Sequence, residues 1–320
     1  MGKSGRFFLL LFVVVMLVLM IITPQIYIEA AMEGLEIFTY SVLPVLLPFF
    51  IFTKLFSVLG GDSYLSKLLK PFVVKVFGAP PIAGSIMCLS MLSGYPIGAK
   101  MVAENRSRGL LTIEDSKRII AFTSTSGPLF ILGTIGVKFL NDYKAGVIIL
   151  SVHLVSAIIN GIIFKTTLKD HSTTAIQELT IPSDFYKQSI DSSINAILQV
   201  AASIVILNML IVALGNLKVF PVVVKFLSIL GIKPQIANGL TAGLIEITKG
   251  IKTLADSGLK IKDTIVPISV IVSFGGCSVA MQSMVFLRSC GIKTSYYFVT
   301  KLSQSVVSYI LASLAVMVLY

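Results

Sequence analysis

Pro71-Phe-Val-Val-Lys75 returns as Pro221-Val-Val-Val-Lys225, 150 residues further on. Each copy is followed by an apolar stretch broken by glycine or proline. That stretch closes on Gly98-Ala-Lys100 in the first half and on Gly250-Ile-Lys252 in the second, 152 residues apart. Later in each half an apolar segment is interrupted at its middle, by Ser124-Thr-Ser-Gly-Pro128 and by Ser273-Phe-Gly-Gly-Cys277. Interrupted apolar segments at corresponding places in two halves are the sequence signature of a transporter-type binding site.

Composition agrees. The 320 residues are 55% hydrophobic and 13% charged, and soluble domains carry about 25% charge. The chain reads as an all-α polytopic membrane protein. Its net charge of +11 is not gathered into a stripe with interleaved aromatics. It reads as loop charge that orients the protein in the bilayer, which argues against nucleic acid as a partner. Cys88, Cys277 and Cys290 lie in or beside apolar stretches without CxxC spacing, so neither a disulfide framework nor a zinc site is expected. His153 and His171 are the only histidines, and HExxH and GxSxG are absent. No catalytic set and no cofactor are expected.

Lys3 and Arg6 precede an apolar run from Phe7 to Ile22. Thr23-Pro24-Gln25 is not a cleavage site and Ala30-Ala31 is a weak one, so the run reads as an uncleaved first helix. Further spans are expected over 37–59, 119–138, 144–165, 190–215, 265–288 and 294–318. Segments 79–99 and 235–251 are apolar but rich in breakers, among them Pro80, Pro81, Gly84, Gly94, Pro96, Gly239 and Gly243. Broken backbone at membrane depth requires burial in protein or a wet cavity. A re-entrant hairpin satisfies this, and a straight span is the alternative.

Charge bias favours the hairpin in the first half. Lys67 and Lys70 lie before segment 79–99, and Lys100, Arg106, Arg108, Lys117 and Arg118 after it. Both groups fall inside only if the chain returns to the side it left. The second repeat then starts from the opposite face. The expected organisation is a first helix with an external loop over 1–36, a first repeat over 37–165, a polar linker over 166–189 and an inverted second repeat over 190–320. Each repeat would hold a re-entrant hairpin and a broken transmembrane helix.

Candidate binding residues follow from the breaks. Thr125, Ser126, Gly127 and Pro128 suit the end of one half-helix and the start of another, with Ser126 as N-cap and Pro128 in the first turn. A half-helix N-terminus at mid-membrane favours an anion. A kinked helix with hydroxyls bonded to its own carbonyls is the bland alternative. Gly275, Gly276 and Ser278 repeat the pattern. In the first hairpin, Ser93, Gly94, Tyr95, Pro96 and Gly98 allow a tight tip, and Tyr95 offers a surface for a planar solute. In the second, Glu246, Thr248 and Gly250 stand at the matching place. Glu246 is an acid in an apolar region, a functional candidate by default. A structural ion pair with Lys249 or Lys252 is an equal reading. Gln282 is a further candidate, Lys54 reads as a snorkelling or lining residue, and Lys100 as a boundary charge. Asn160, Asn195, Gln199 and Asn208 read as interhelical hydrogen-bonding groups.

Ser93-Gly-Tyr-Pro-Ile-Gly-Ala-Lys100 and Arg118-Ile-Ile-Ala-Phe-Thr-Ser-Thr-Ser-Gly-Pro-Leu-Phe-Ile-Leu-Gly133 resemble the YlbJ/SpoVV-type sporulation integral membrane proteins. These form part of the wider Gate, or nucleoside-recognition, membrane family, which is related in architecture to concentrative nucleoside transporters. The resemblance runs from about the second span to the C-terminus, and Glu246-Ile-Thr-Lys-Gly250 is similar to the family's acidic second-repeat motif. It implies expression in the mother cell of a spore former. It also implies a role in cortex formation or in moving dipicolinate toward the forespore across its outer membrane. The expectation is therefore an alternating-access carrier of a small anionic solute, dipicolinate foremost, with Na+ or H+ as candidate coupling ion. A cation-coupled nucleoside or nucleobase carrier and a non-transporting membrane scaffold are the alternatives. Oligomeric state is left open, with a homo-oligomer allowed.

Overall fold

The computed structural model describes residues 3–165 and 183–320. No strand occurs among the described residues. Helix α1 (Lys3–Ile22) is followed by α2 (Pro24–Ile37), a π-helical turn at Phe38–Val42 and α3 (Leu43–Val58). Next come α4 (Gly61–Phe77), the pair α5 (Ala83–Ser93) and α6 (Ile97–Ser107), and α7 (Ile113–Thr123). A π-helix at Phe130–Phe139 leads into α8 (Tyr143–Ile163). The second half holds α9 (Phe185–Asn216), α10 (Val219–Ile229), the pair α11 (Pro234–Ile245) and α12 (Ile247–Ala255), then α13 (Ile261–Phe274), α14 (Gly276–Leu287) and α15 (Thr294–Leu319). Among the described residues, five stretches are long and apolar enough to cross a bilayer: Pro24–Val58, Tyr143–Ile163, Phe185–Asn216, Ile261–Cys290 and Thr294–Leu319.

The external loop expected before residue 37 is helical instead. Pro24 sits at the first position of α2, where a missing N–H costs nothing, and the glycine that follows, Gly34, is buried in the helix. Tertiary packing makes the stretch a helix. A Cβ on Gly34 would stand 3.0 Å from Val205 Cα, so α2 lies directly on α9. Asn208 Nδ2 on α9 donates to the Ala30 carbonyl at 2.6 Å. The polar linker expected over 166–189 falls outside the described residues as far as 182, and α9 begins at Phe185.

Residues 83–107 and 234–255 each form a pair of short helices, so the second arms run past the expected ends at 99 and 251. The arms of α5 and α6 are 11 residues each, those of α11 and α12 are 12 and 9. At 1.5 Å per residue these are about 13–18 Å long, near half the ~30 Å hydrocarbon thickness. The paired landmarks precede the two hairpins: Pro71 lies in α4 and Pro221 in α10.

Both interrupted segments break where the sequence places the breakers. The chain leaves α7 at Ser124 and is helical again from Pro128. It leaves α13 at Gly275, whose φ is +82°, with Gly276 at +66°. Thr112 and Asp115 form a capping box that fixes where α7 starts, and Asp142 Oδ1 accepts from Ala145 N–H at the start of α8. Helix α13 packs on α8 and α15, which also pack on each other.

Asn160 joins three helices in this layer. Its Nδ2 donates to Ala121 O at 2.7 Å and Thr300 O at 3.1 Å, the interhelical role expected of it. Asn160→Leu is expected to lower the stability of the detergent-solubilised protein by about 1–2 kcal/mol. Its thermal unfolding midpoint beside wild type measures this.

Candidate functional site

The hairpin tips and the breaks meet backbone to backbone. A Cβ on Gly94 would lie 2.6 Å from Gly127 N, and one on Gly98 would lie 2.1 Å from Thr123 O. The first tip is thus seated on the first break. In the second half a Cβ on Gly276 would lie 2.5 Å from Gly243 O, and Ile247 N–H points to Ser278 Oγ at 3.4 Å. The second tip is seated on the second break in the same way.

Between these seats lies a cavity lined by Gly94, Tyr95, Ser126, Gly127, Glu246, Thr248 and Gln282. Seven residues that the sequence singled out therefore face one space. Val42, Leu46, Phe130, Val200, Ile204, Ile247 and Val279 supply its apolar wall. It offers about 50 Å³ to water-sized spheres, room for about three or four waters.

The other sequence candidates stand behind this lining. Ser93 donates to Thr53 Oγ1 at 3.1 Å. Gly98 and Gly276 form the seats described, and Gly250 packs on Gly243, where a Cβ would come within 2.3 Å of the Gly243 Cα. Pro96 precedes α6, Pro128 restarts the helix, and Gly275 and Ser278 shape the second break. Thr125 is buried with its hydroxyl unpartnered. Ser126 does not cap with its side chain. Its backbone N–H donates to His153 Nε2 at 2.9 Å.

Glu246 is 1% exposed. Its Oε2 accepts from Lys249 N–H at 2.7 Å, capping α12, while Oε1 has no partner. The ion pairs that could have explained it are made elsewhere: Lys249 with Glu33, and Lys252 with Asp256. A carboxylate oxygen buried at a cavity wall without a donor is an open acceptor.

A polar network that the breakers alone did not reveal lies beside this cavity. His153 Nε2 accepts from Ser126 N–H, so Nδ1 carries the proton and donates to Ser273 Oγ at 3.0 Å. That tautomer cannot activate Ser273 as a nucleophile. Lys301 Nζ donates to Tyr95 Oη at 2.9 Å, Ser124 O at 2.7 Å and Gln304 Oε1 at 2.7 Å. Tyr95 Oη passes its own proton to Val272 O at 3.2 Å. Tyr297 Oη joins Ser124 Oγ at 2.8 Å and Ser283 Oγ at 3.1 Å. These bonds tie the first hairpin and break to α13, α14 and α15. The signal for Lys301 was present in the sequence, since it is a charge inside the apolar run 294–318.

A second, smaller cavity continues along α3 and α6. Thr53, Lys54, Lys100 and Glu104 are among its lining residues. Lys54 pairs with Glu104 at 3.2 Å, in keeping with a lining role. Lys100 is more than a boundary charge, since its Nζ donates to Ser192 O on α9 at 3.2 Å.

No family model matches the chain, and no solved structure matches it. A curated relative does. The chain is 26% identical over 309 residues to the sporulation integral membrane protein YlbJ of Bacillus subtilis (strain 168), spanning 88% of this chain and 76% of the relative. This likeness supports the YlbJ-type family. It supports an integral, multi-pass membrane protein with a role in sporulation.

Proposed function

We propose that the chain is a carrier, not an enzyme, that moves a small anionic solute by alternating access between two inverted Gate-like repeats. The favoured solute is dipicolinate, moved toward the forespore across its outer membrane and needed for normal cortex and core maturation. One observation carries the carrier reading: two hairpin tips and two helix breaks enclose a single cavity whose polar residues come from both halves. A scaffold needs no such polarity at mid-membrane. At about 50 Å³ the cavity is smaller than an aromatic dicarboxylate, so solute entry requires its walls to move apart. Tyr95 supplies a ring for a planar solute.

Glu246 sets a condition on this reading. A dicarboxylate that meets the open Oε1 needs a proton or a cation between the two oxygens, and we take it to be the proton. Dipicolinate uptake is then expected to be coupled to H+.

The same oxygen favours one second reading, a nucleoside or nucleobase whose O–H or N–H donates to Glu246. Proteoliposomes given radiolabelled dipicolinate or uridine separate the two. Dipicolinate uptake that rises as the outside is acidified supports the first. Uridine uptake alone supports the second, and uptake of neither removes both solutes.

A further inference from the structure

Lys301 is 1% exposed, and among the described residues no carboxylate stands within ion-pair distance of it. An isolated ammonium in a dry core is costly unless every proton is bonded. Here every proton is bonded. An ammonium has three donors, and the Tyr95 phenol, the Ser124 carbonyl and the Gln304 amide oxygen take one each at 2.7–2.9 Å. With no donor left over, Lys301 contacts no solute directly.

The three acceptors have the chemistry of an alkali-cation site. All are neutral oxygens, and one is a main-chain carbonyl freed by the interruption after α7. Unwound carbonyls of interrupted helices are where transporters coordinate coupling cations. Gln304 turns its oxygen to the charge and leaves its Nε2 buried without a partner, so the cage is arranged for a cation at a cost to the amide.

We propose that Lys301 is a tethered cation that fills a monovalent-cation site made by Tyr95 Oη, Ser124 O and Gln304 Oε1, so that no free sodium is required at the first break. The ammonium is a positioning group. It holds the unwound strand and the Tyr95 ring against the cavity. The consequence for coupling rests on the carrier reading, but the cage itself does not.

The test therefore reads stability, which is separate from transport. The full chain is purified in detergent as wild type, Lys301→Ala, Lys301→Met and Lys301→Ala with Tyr95→Phe. Thermal midpoints are measured in choline chloride, NaCl, KCl and methylammonium chloride at equal ionic strength. Wild type is expected to unfold at the same temperature in all four salts. Lys301→Ala is expected to fall by roughly 5 °C or more in choline and to recover at least about half of that in methylammonium, Na+ or K+. Lys301→Met, whose stem fills the space without a charge, is expected to fall and not recover. Adding Tyr95→Phe is expected to abolish the recovery.

If Lys301→Ala yields no folded protein in choline, extraction in methylammonium is expected to restore it. A wild-type midpoint that rises with Na+ alone would overturn the proposal. So would a Lys301→Ala variant indifferent to every cation, or a Lys301→Met variant as stable as wild type. Absence of transport in the wild type would count against the carrier reading and leave these outcomes intact.

Discussion

Glu246→Gln is expected to move the two candidate solutes in opposite directions. In the wild type Oε2 accepts from Lys249 N–H, Oε1 is buried without a hydrogen-bond partner, and Glu246 lines the cavity. The amide keeps the cap through its one oxygen and turns Nε2, a donor, toward the solute. A carboxylate solute then meets a donor without needing a proton, so dipicolinate uptake above pH 7 rises several-fold and loses its dependence on acidification. A nucleoside loses the acceptor that its hydroxyl or N–H used, and uridine uptake falls by about 10- to 100-fold, the usual worth of a hydrogen bond to a charge. Initial uptake rates at pH 6 and pH 8 for both proteins decide between them. Unchanged rates for both solutes would remove Glu246 from the site.

Gly98→Ala is expected to be the most disruptive single methyl group in the first hairpin. The new Cβ would fall 2.1 Å from Thr123 O and 2.9 Å from Thr123 C. Both are backbone atoms, so no rotamer relieves the clash and the tip must leave its seat. A cost of at least about 3 kcal/mol follows, which lowers the midpoint by roughly 10 °C or prevents recovery of folded protein. Gly215→Ala is the matched control. It lies in α9 with nothing within 4 Å of the added Cβ, and it is expected to leave the midpoint unchanged or raise it slightly. Size-exclusion chromatography and thermal unfolding of the two variants measure the contrast.

The breaks were legible because glycine and proline act locally. Ser124 to Pro128 and Gly275-Gly276 interrupt their helices for reasons contained within a few residues. The turn between α5 and α6 was legible from Gly94 and Pro96, but the charge argument was not decisive, since Lys100 and Arg106 lie on α6 itself. Glu246 was legible as an acid in an apolar segment, but its freedom was not. Lys249 is drawn away by Glu33, 216 residues distant, and no local pattern records that. The same contact layer explains the misread stretch before residue 37, where Gly34 and Asn208 fasten α2 to α9. His153 and Lys301 were visible as polar residues in apolar runs. Their roles depend on Ser126, Ser273, Tyr95 and Ser124 arriving from other helices, which composition cannot foretell.

The glycine seats also constrain how anything could move. Where Gly94 meets Gly127, and Gly276 meets Gly243, main chain lies against main chain with no side chain between to swing aside. A hairpin tip cannot flap open alone, because peeling it off would bare two strips of peptide groups together. Each hairpin and its broken helix is therefore one mechanical part. Under the carrier reading, opening a path to the cavity would mean moving that whole part, across side-chain contacts such as Lys54–Glu104, Lys100–Ser192 and Lys301–Tyr95. Those are the joints of the machine, and the glycines are its welds.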